Sequence, residues 1–596
     1  MIPPADLAIV CDILCGMTTR IIRSALCAIV LTAACTSTPT VEPADTLLTN
    51  GRIYTFTWDD PAADGTPATN APHTAEGWRP DAEAVAIRAG RIVFTGTAHQ
   101  AEAYRGPATR VVDLKGATAL PGLVDAHVHI RELGQAETQL DLTGVATEEE
   151  AVARTVAYAA KVPKGEWVVG RGWDEGAWAG RYHTMRLLSE QVPDHPVVLD
   201  SLHGFAVWGN KLAFEKAGIT RTTKPPVGGE ILKDAKGEPT GTLLNRAVTL
   251  LEGAVPSPTP DQARGWVLAG LKRMARDGFT AVHEAGADAE LMTAFEALDA
   301  SGELPVRVYA MLSARDTALS RVWLKKGPRL DPAAMLTVRS VKAYYDGSLG
   351  SRGARLLDDY ADQKGHRGVS GGNYGFDQAL VAEMMTAGFQ VGIHAIGDAG
   401  NREALDFIQS VQDRNPAVRN NRNRIEHAQV VHPDDFKRFA SLGVIASVEP
   451  PHAVEDKPWA ETRLGPERVK GAYAWRTFRQ NGVRLAFGSD LTGSDHSAFY
   501  GLHAAVTRRD KTLQPAGGWY PEQRMTPEEA VRGYSTWAAY AAFAEGDRGT
   551  LAVGRAADIT VMDLDPLVVG ATKPEGLLKG TIRLTMVGGR IAHEAP

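Results

Sequence analysis

The run LPGLVDAHVHI, residues 120–130, decides the fold. Its apolar and small residues predict a buried strand. It ends in His127 and His129, two positions apart, so both imidazoles leave the same face at the strand's carboxyl end. Two neutral imidazoles side by side are a metal-ligand pair. A lone His-x-His equally fits exposed or hydrogen-bonded histidines, so the reading depends on what the rest of the chain adds.

Seven further strand-like runs alternate with helical segments: 278–283, 306–312, 338–345, 388–394, 424–427, 444–448 and 484–490. With 120–127 they make eight, the count of an α/β fold of the (β/α)8 TIM-barrel type. That barrel would span 119–548. One gap, about 140–260, is too long for a plain loop. It has turns, strands and aromatics of its own, and predicts an inserted subdomain covering the barrel mouth. Alternating strands joined by Gly-Arg turns stand at both ends, as DTLLTNGRIYTF and AVAIRAGRIVFTG within 46–118 and as GTLAVGRAADITVMDLDP and TMVGGRIAHE within 549–596. They predict one small β-sandwich built from both termini.

The 596 residues are 44% hydrophobic and 23% charged, a globular balance with material for more than one core. A formal charge of −7 without a basic stripe gives no electrostatic reason to expect nucleic acid. All four cysteines, Cys11, Cys15, Cys27 and Cys35, precede the folded body. A metal there would therefore be held by nitrogen and oxygen. MTTRIIRSALCAIVLTAAC, residues 17–35, has the pattern of a secretory signal, with arginines before a short apolar run. Its LTAAC resembles the lipobox of bacterial lipoproteins. That implies export to the cell envelope or periplasm, lipidation at Cys35 as a membrane anchor, and a flexible tether over 36–45; an uncleaved anchor helix is the lesser alternative. Residues 1–16 lie upstream of the pattern and read as a start codon called too early.

The remaining ligand types fall at the carboxyl ends of the expected strands, the face where barrel enzymes carry their sites. They are Lys342 on the fourth strand, His394 on the fifth, His427 on the sixth and Asp490 on the eighth, joining His127 and His129 on the first. The set predicts one or two divalent cations, and its His/carboxylate character points to zinc. A lysine ammonium has no lone pair to give, but a desolvated neutral amine can add carbon dioxide. A carbamate on Lys342 would then be an anionic ligand able to bridge two metals.

Jointly these residues carry a resemblance. LPGLVDAHVH, GRGWDEGAW, PVVLDSLHGFAVWGNKLAFEKAGI, DAKGEPTGTL, GFTAVHEAG, VKAYYDGSLGSRGARL, VGIHAIGDAGNREAL, RIEHAQVV, LAFGSD and GTLAVGRAADITVMD make the chain look like the amidohydrolase superfamily, YtcJ-like branch, from Thr46 onward. The resemblance implies a metal site of His127, His129, His394, His427 and Asp490, with Lys342 as the carboxylated bridge and Asp490 also the catalytic proton shuttle. The chemistry implied is hydrolysis of a C–N bond in an amide, formamide or cyclic amide of a small molecule. Ester, lactone or phosphotriester hydrolysis would use the same machinery, and a binding protein with an idle barrel is the non-enzyme alternative. A homodimer is suggested by family analogy alone.

Six residues are candidates for the substrate side. His203 in the inserted region matches a family position, and Trp173, with Trp178, offers a pocket wall, although buried tryptophans are more often simply packed. Asp346 and Arg352 follow the fourth strand, and Glu449 and His452 follow the seventh. Relatives often carry Gln where Glu449 stands, and a carboxylate there would favour a cationic or donor-rich substrate. His283 and Glu284 end the second strand, where they could support a ligand. His183, His195, His432 and His503 read as surface or helix-cap residues.

Overall fold

A computed structural model describes residues 41–596 apart from 174–181, 202, 203, 205, 227, 228, 370 and 492. Its main compact unit is Pro43–Pro596. The expected signal, Cys35 and the first half of the tether, 36–40, lie outside the described residues, as do His203 and Trp178. Among the described residues no helix is long and apolar enough to cross a membrane.

Eight parallel strands form a nearly closed barrel: β1 (Leu123–Val128), β2 (Phe279–Ala287), β3 (Arg307–Ser313), β4 (Leu336–Tyr344), β5 (Gln390–Ala395), β6 (Arg424–His427), β7 (Ile445–Val448) and β8 (Leu485–Phe487). Their burial is near complete on both faces, as a parallel sheet covered by helices requires. The seam between β8 and β1 is closed beyond the end of β8, by an isolated parallel bridge between Val128 and Leu491 and by Asp490 N donating to His127 O at 2.8 Å. Asp125 pins the same seam, accepting from Ser489 N, Ser489 Oγ and His127 N. Gly488 permits the approach, because a Cβ there would lie 2.7 Å from the backbone nitrogen of His127.

The run that opened the sequence reading is two strands. Thr118–Pro121 pairs antiparallel with Ile559–Met562, whereas β1 begins at Leu123 and pairs with β2. The break falls at Pro121-Gly122. Proline brings no N–H to a ladder, and a side chain on Gly122 would collide with Thr280, whose Oγ1 would be 2.2 Å from the added Cβ.

Thr118–Pro121 lies in a five-stranded sheet with Arg52–Ile53, Ile559–Met562, Ile582–Val587 and Arg590–Glu594. A four-stranded sheet of Arg91–Gly96, Ala84–Arg88, Thr46–Thr49 and Arg110–Asp113 packs on it. Leu48, Val85 and Ile87 of one sheet share an apolar core with Ile559, Val561 and Leu584 of the other. Within 140–260 stands a six-stranded mixed sheet with its own buried clusters.

Candidate metal centre

The barrel's carboxyl rim gathers all six residues expected there. His129 Nε2 lies 3.1 Å and His127 Nε2 3.4 Å from Asp490 Oδ1, and His427 Nδ1 lies 4.0 Å from Asp490 Oδ2. Lys342 Nζ donates to His127 Nε2 at 2.9 Å. His394 joins through its ring, 4.4 Å from that of His427 and near perpendicular to it. His127, Lys342 and His427 are buried, whereas the Asp490 side chain is 21% exposed and so faces the mouth.

Backbone strain helps the convergence. His427 and Asp490 both hold left-handed conformations, φ 72° and 51°. For non-glycine residues these are sparsely populated and tend to cluster at functional sites. They end β6 and close the seam, turning side chains inward that plain alternation would send elsewhere.

Two carboxylates join the centre from positions the sequence reading used otherwise or passed over. Glu426 shares the inward face of β6 with Arg424, two residues away, and accepts from His127 Nδ1 at 2.7 Å. That bond places the imidazole proton on Nδ1 and leaves Nε2 its lone pair. Glu449, expected on the substrate side, is buried and takes His427 Nδ1 at 3.0 Å, with its other oxygen 3.6 Å from His127. The signal for Glu426 was present in RIEH, where a carboxylate two residues from an arginine on a fully buried strand cannot be a surface residue.

The other expected substrate residues divide. His452 stacks on His427 with ring centroids 5.9 Å apart and is partly exposed, so it remains at the mouth. Asp346 is fully buried, accepts from Ile396 N, Gly397 N and Arg355 N, and approaches His394 Nε2 to 3.7 Å. Its carboxylate is taken up by these three backbone N–H groups and has no exposed surface, so the structure places it beneath the rim and not at the mouth where a substrate contact was expected. Arg352 is partly exposed, and its guanidinium straddles the carboxylate of Asp362 in the loop beyond β4. Trp173 is a core residue of the inserted sheet, buried, with Nε1 donating to Leu199 O at 2.8 Å, and is not a pocket wall. Glu284 sits beneath His129, 4.0 Å from its Nδ1, and accepts from Ile130 N. His283 receives a hydrogen bond from Arg424 in the barrel interior.

The electrostatics are those of a buried charged cluster. Burial, then the Lys342 cation, pushes the His127 imidazole down to about 4. Burial also lowers Lys342 and His394. Burial alone would raise Glu426, but the Arg424 guanidinium holds it well below the usual carboxylate range. For Asp490 the surrounding imidazoles likewise outweigh burial and keep it ionised. The donor set fits a cation. Three groups, His127/His129/Asp490, His427/Glu449/His452 and His127/Glu426/Glu449, each bring ligand atoms within 4.8 Å of one another. His394 Nε2 and Glu449 Oε1 are buried with no hydrogen-bond partner among the described residues. An orphaned buried acceptor is costly unless something binds it.

Comparison with known proteins bears on this centre. Residues 110–593 match the family described as "Amidohydrolase family". The YtcJ protein of Bacillus subtilis (strain 168) is 31% identical over 523 residues, covering 86% of this chain and 96% of that protein. An N-substituted formamide deformylase of Arthrobacter pascens is 26% identical over 503 residues, 82% of this chain and 91% of that one. Among solved structures, an uncharacterized metal-dependent hydrolase from Pyrococcus furiosus superposes with a TM-score of 0.69 at 26% identity, covering 88% of this chain and 99% of its own.

Proposed function

The chain belongs to the amidohydrolase family, and on that premise we propose that it is a metal-dependent hydrolase of a C–N bond in a small amide, formamide or cyclic amide. The observation that carries the reading is the meeting at one barrel rim of four histidines, a lysine and Asp490 beside His394 Nε2 and Glu449 Oε1, buried atoms with no hydrogen-bond partner among the described residues. His127, His129, His394, His427 and Asp490 would hold one or two divalent cations, zinc by the chemistry of the donors. Such a cation, when bound, lowers the pKa of a coordinated water towards about 7 and polarises a carbonyl.

Asp490, partly exposed at the mouth, receives the proton of the attacking water at its carboxylate and delivers it to the departing nitrogen. Glu426 keeps the His127 proton on Nδ1, so Nε2 faces the centre with its lone pair. Glu284 stands behind His129, at Nδ1, while Nε2 faces Asp490. Lys342 is buried without a carboxylate in salt-bridge reach among the described residues, which suits an amine that becomes a carbamate. The deformylase relative acts on N-substituted formamides by its name, and that bond class is the first to assay. Export and lipidation at Cys35 complete the proposal, and metabolic labelling with a radiolabelled fatty acid in cells carrying Cys35→Ala tests them.

Elemental analysis and an amide panel test the activity. About one to two zinc-like ions per chain, with hydrolysis lost on chelation and restored by zinc, are expected. A metal-free preparation that hydrolyses amides, or a loaded one inert across the panel, overturns the reading. Carbon-13 bicarbonate tests Lys342, through a carbamate resonance that Lys342→Ala abolishes.

A further inference from the structure

Beyond β3 the chain places an exposed guanidinium against an aromatic residue that neighbours the centre. Arg315 follows β3, and its Cζ lies 3.9 Å from the centroid of the Tyr344 ring and 5.1 Å from that of Tyr374. Tyr344 ends β4. Its ring is also 5.0 Å from Lys342 Nζ and 5.7 Å from the ring of His394. Tyr344 is thus the common neighbour of Arg315 and of two members of the proposed centre.

Arg315 makes no hydrogen bond or ion pair among the described residues, although it is held against two aromatic faces. The acids that might neutralise it are committed. Asp316, its neighbour, caps Leu319 N with one oxygen and accepts from Ala289 N with the other. Glu284 accepts from Ile130 N, Asp490 faces His129, and Glu132 lies 3.9 Å from Arg131, which Asp288 also holds at 2.9 Å. Stacking fixes the plane of a guanidinium and leaves its five N–H donors on the edge. A fixed edge of that kind matches a carboxylate in bidentate fashion, and a lysine cannot copy it.

Resting on the hydrolase reading above, we infer that Arg315, oriented by Tyr344 and Tyr374, is a specificity residue for substrates that carry a carboxylate on the portion reaching past Tyr344 from the bond cleaved. The favoured class is an acyl amide whose amine portion is an aromatic or short-chain acid. For a formamide of this class, water adds oxygen to the formyl carbon, the C–N bond breaks, and the nitrogen leaves with a proton as an aminocarboxylate beside formate.

3-Formamidobenzoate and formanilide share the scissile bond and differ by the carboxylate. The zinc-loaded wild type is expected to bind the first about 10- to 100-fold more tightly by calorimetry, the range of one charge-assisted contact. The ratio of kcat/KM values should follow, through KM. Arg315→Met should bring both ratios close to one, and Arg315→Lys should fall between. Equal preference in wild type and Arg315→Met, no preference in the wild type, or no measurable binding of 3-formamidobenzoate overturns the inference. Selective binding that Arg315→Met abolishes, with neither compound hydrolysed, upholds Arg315 as the carboxylate contact and counts against the proposed activity alone.

Discussion

The core of the terminal β-sandwich and the rim of the barrel are both buried, yet they are built in opposite ways. The sandwich core brings Leu48, Ile53, Val85, Ile559 and Leu584 together with no ionisable group among them. At the rim, burial falls on His127, Lys342, Glu426, His427 and Glu449, with Arg424 below them and acceptors left unsatisfied. Apolar burial is the dominant favourable term in folding, and burial of a charge is unfavourable unless it is paired. The sandwich therefore contributes stability. The rim subtracts from it and keeps a reactive geometry that the surrounding barrel must hold in place.

The largest effect expected from this contrast is at the rim. Asp490→Asn should lower kcat about 10²- to 10⁴-fold, the worth of a positioned proton-transfer group, in zinc-loaded protein assayed against the best substrate of the panel. A loss of less than tenfold would make the rim an ordinary polar cluster. Next in size is the pair beneath it. Arg424→Met leaves the Glu426 carboxylate buried without its cation, 2.8 Å being the present separation. Destabilisation of about 3–5 kcal/mol is expected, with much of it recovered in the double variant Arg424→Met/Glu426→Leu, which removes both charges. Urea midpoints of the metal-free proteins check this, and a double variant as weak as the single would show that packing, not charge, matters there. In the sandwich, Ile559→Ala should cost about 2–5 kcal/mol. Activity per folded molecule should stay at the wild-type value, and a kinetic defect in a fully folded sample would break the separation of the two regions.

The sequence made the apolar strands and their terminal ligands legible because each strand of a parallel barrel is a short hydrophobic run whose reactive residue stands at one end. His127, His129, Lys342, His394, His427 and Asp490 all meet for that reason. What it hid depended on distant partners. The break at Gly122 follows from Thr280, more than a hundred and fifty positions on, and from a pairing with Ile559–Met562. Glu449 read as a substrate contact because its position after β7 gave no hint that His427 would turn towards it through a left-handed backbone. Trp173 looked like a wall since nothing local announces that its indole N–H finds Leu199 O in a neighbouring strand. Arg352 pairs with Asp362, a partner ten residues away across an irregular loop that no periodicity reveals.

The inserted region sharpens the contrast with the smallest expected effect. Asp200, on the strand Val197–Ser201, has Oδ1 buried without a hydrogen-bond partner among the described residues, as at the rim, but no imidazole cluster of those residues is assembled around it. Burial, then the nearby Glu252 carboxylate, pushes its pKa up to about 7. In the unfolded chain the same group titrates near 4. The folded protein thus binds the proton more tightly, so stability from this residue is fullest below about pH 4 and is lost as pH rises towards 7. Asp200→Asn removes the ionisation and should stabilise by about 1–3 kcal/mol at pH 8, with little difference at pH 4.5. Thermal midpoints of the two proteins at both pH values decide it. Equal differences at the two pH values would mean that the orphaned oxygen is reached by water, and an unsatisfied acceptor would then mark a strained site only where, as around His127 and Glu449, several converge.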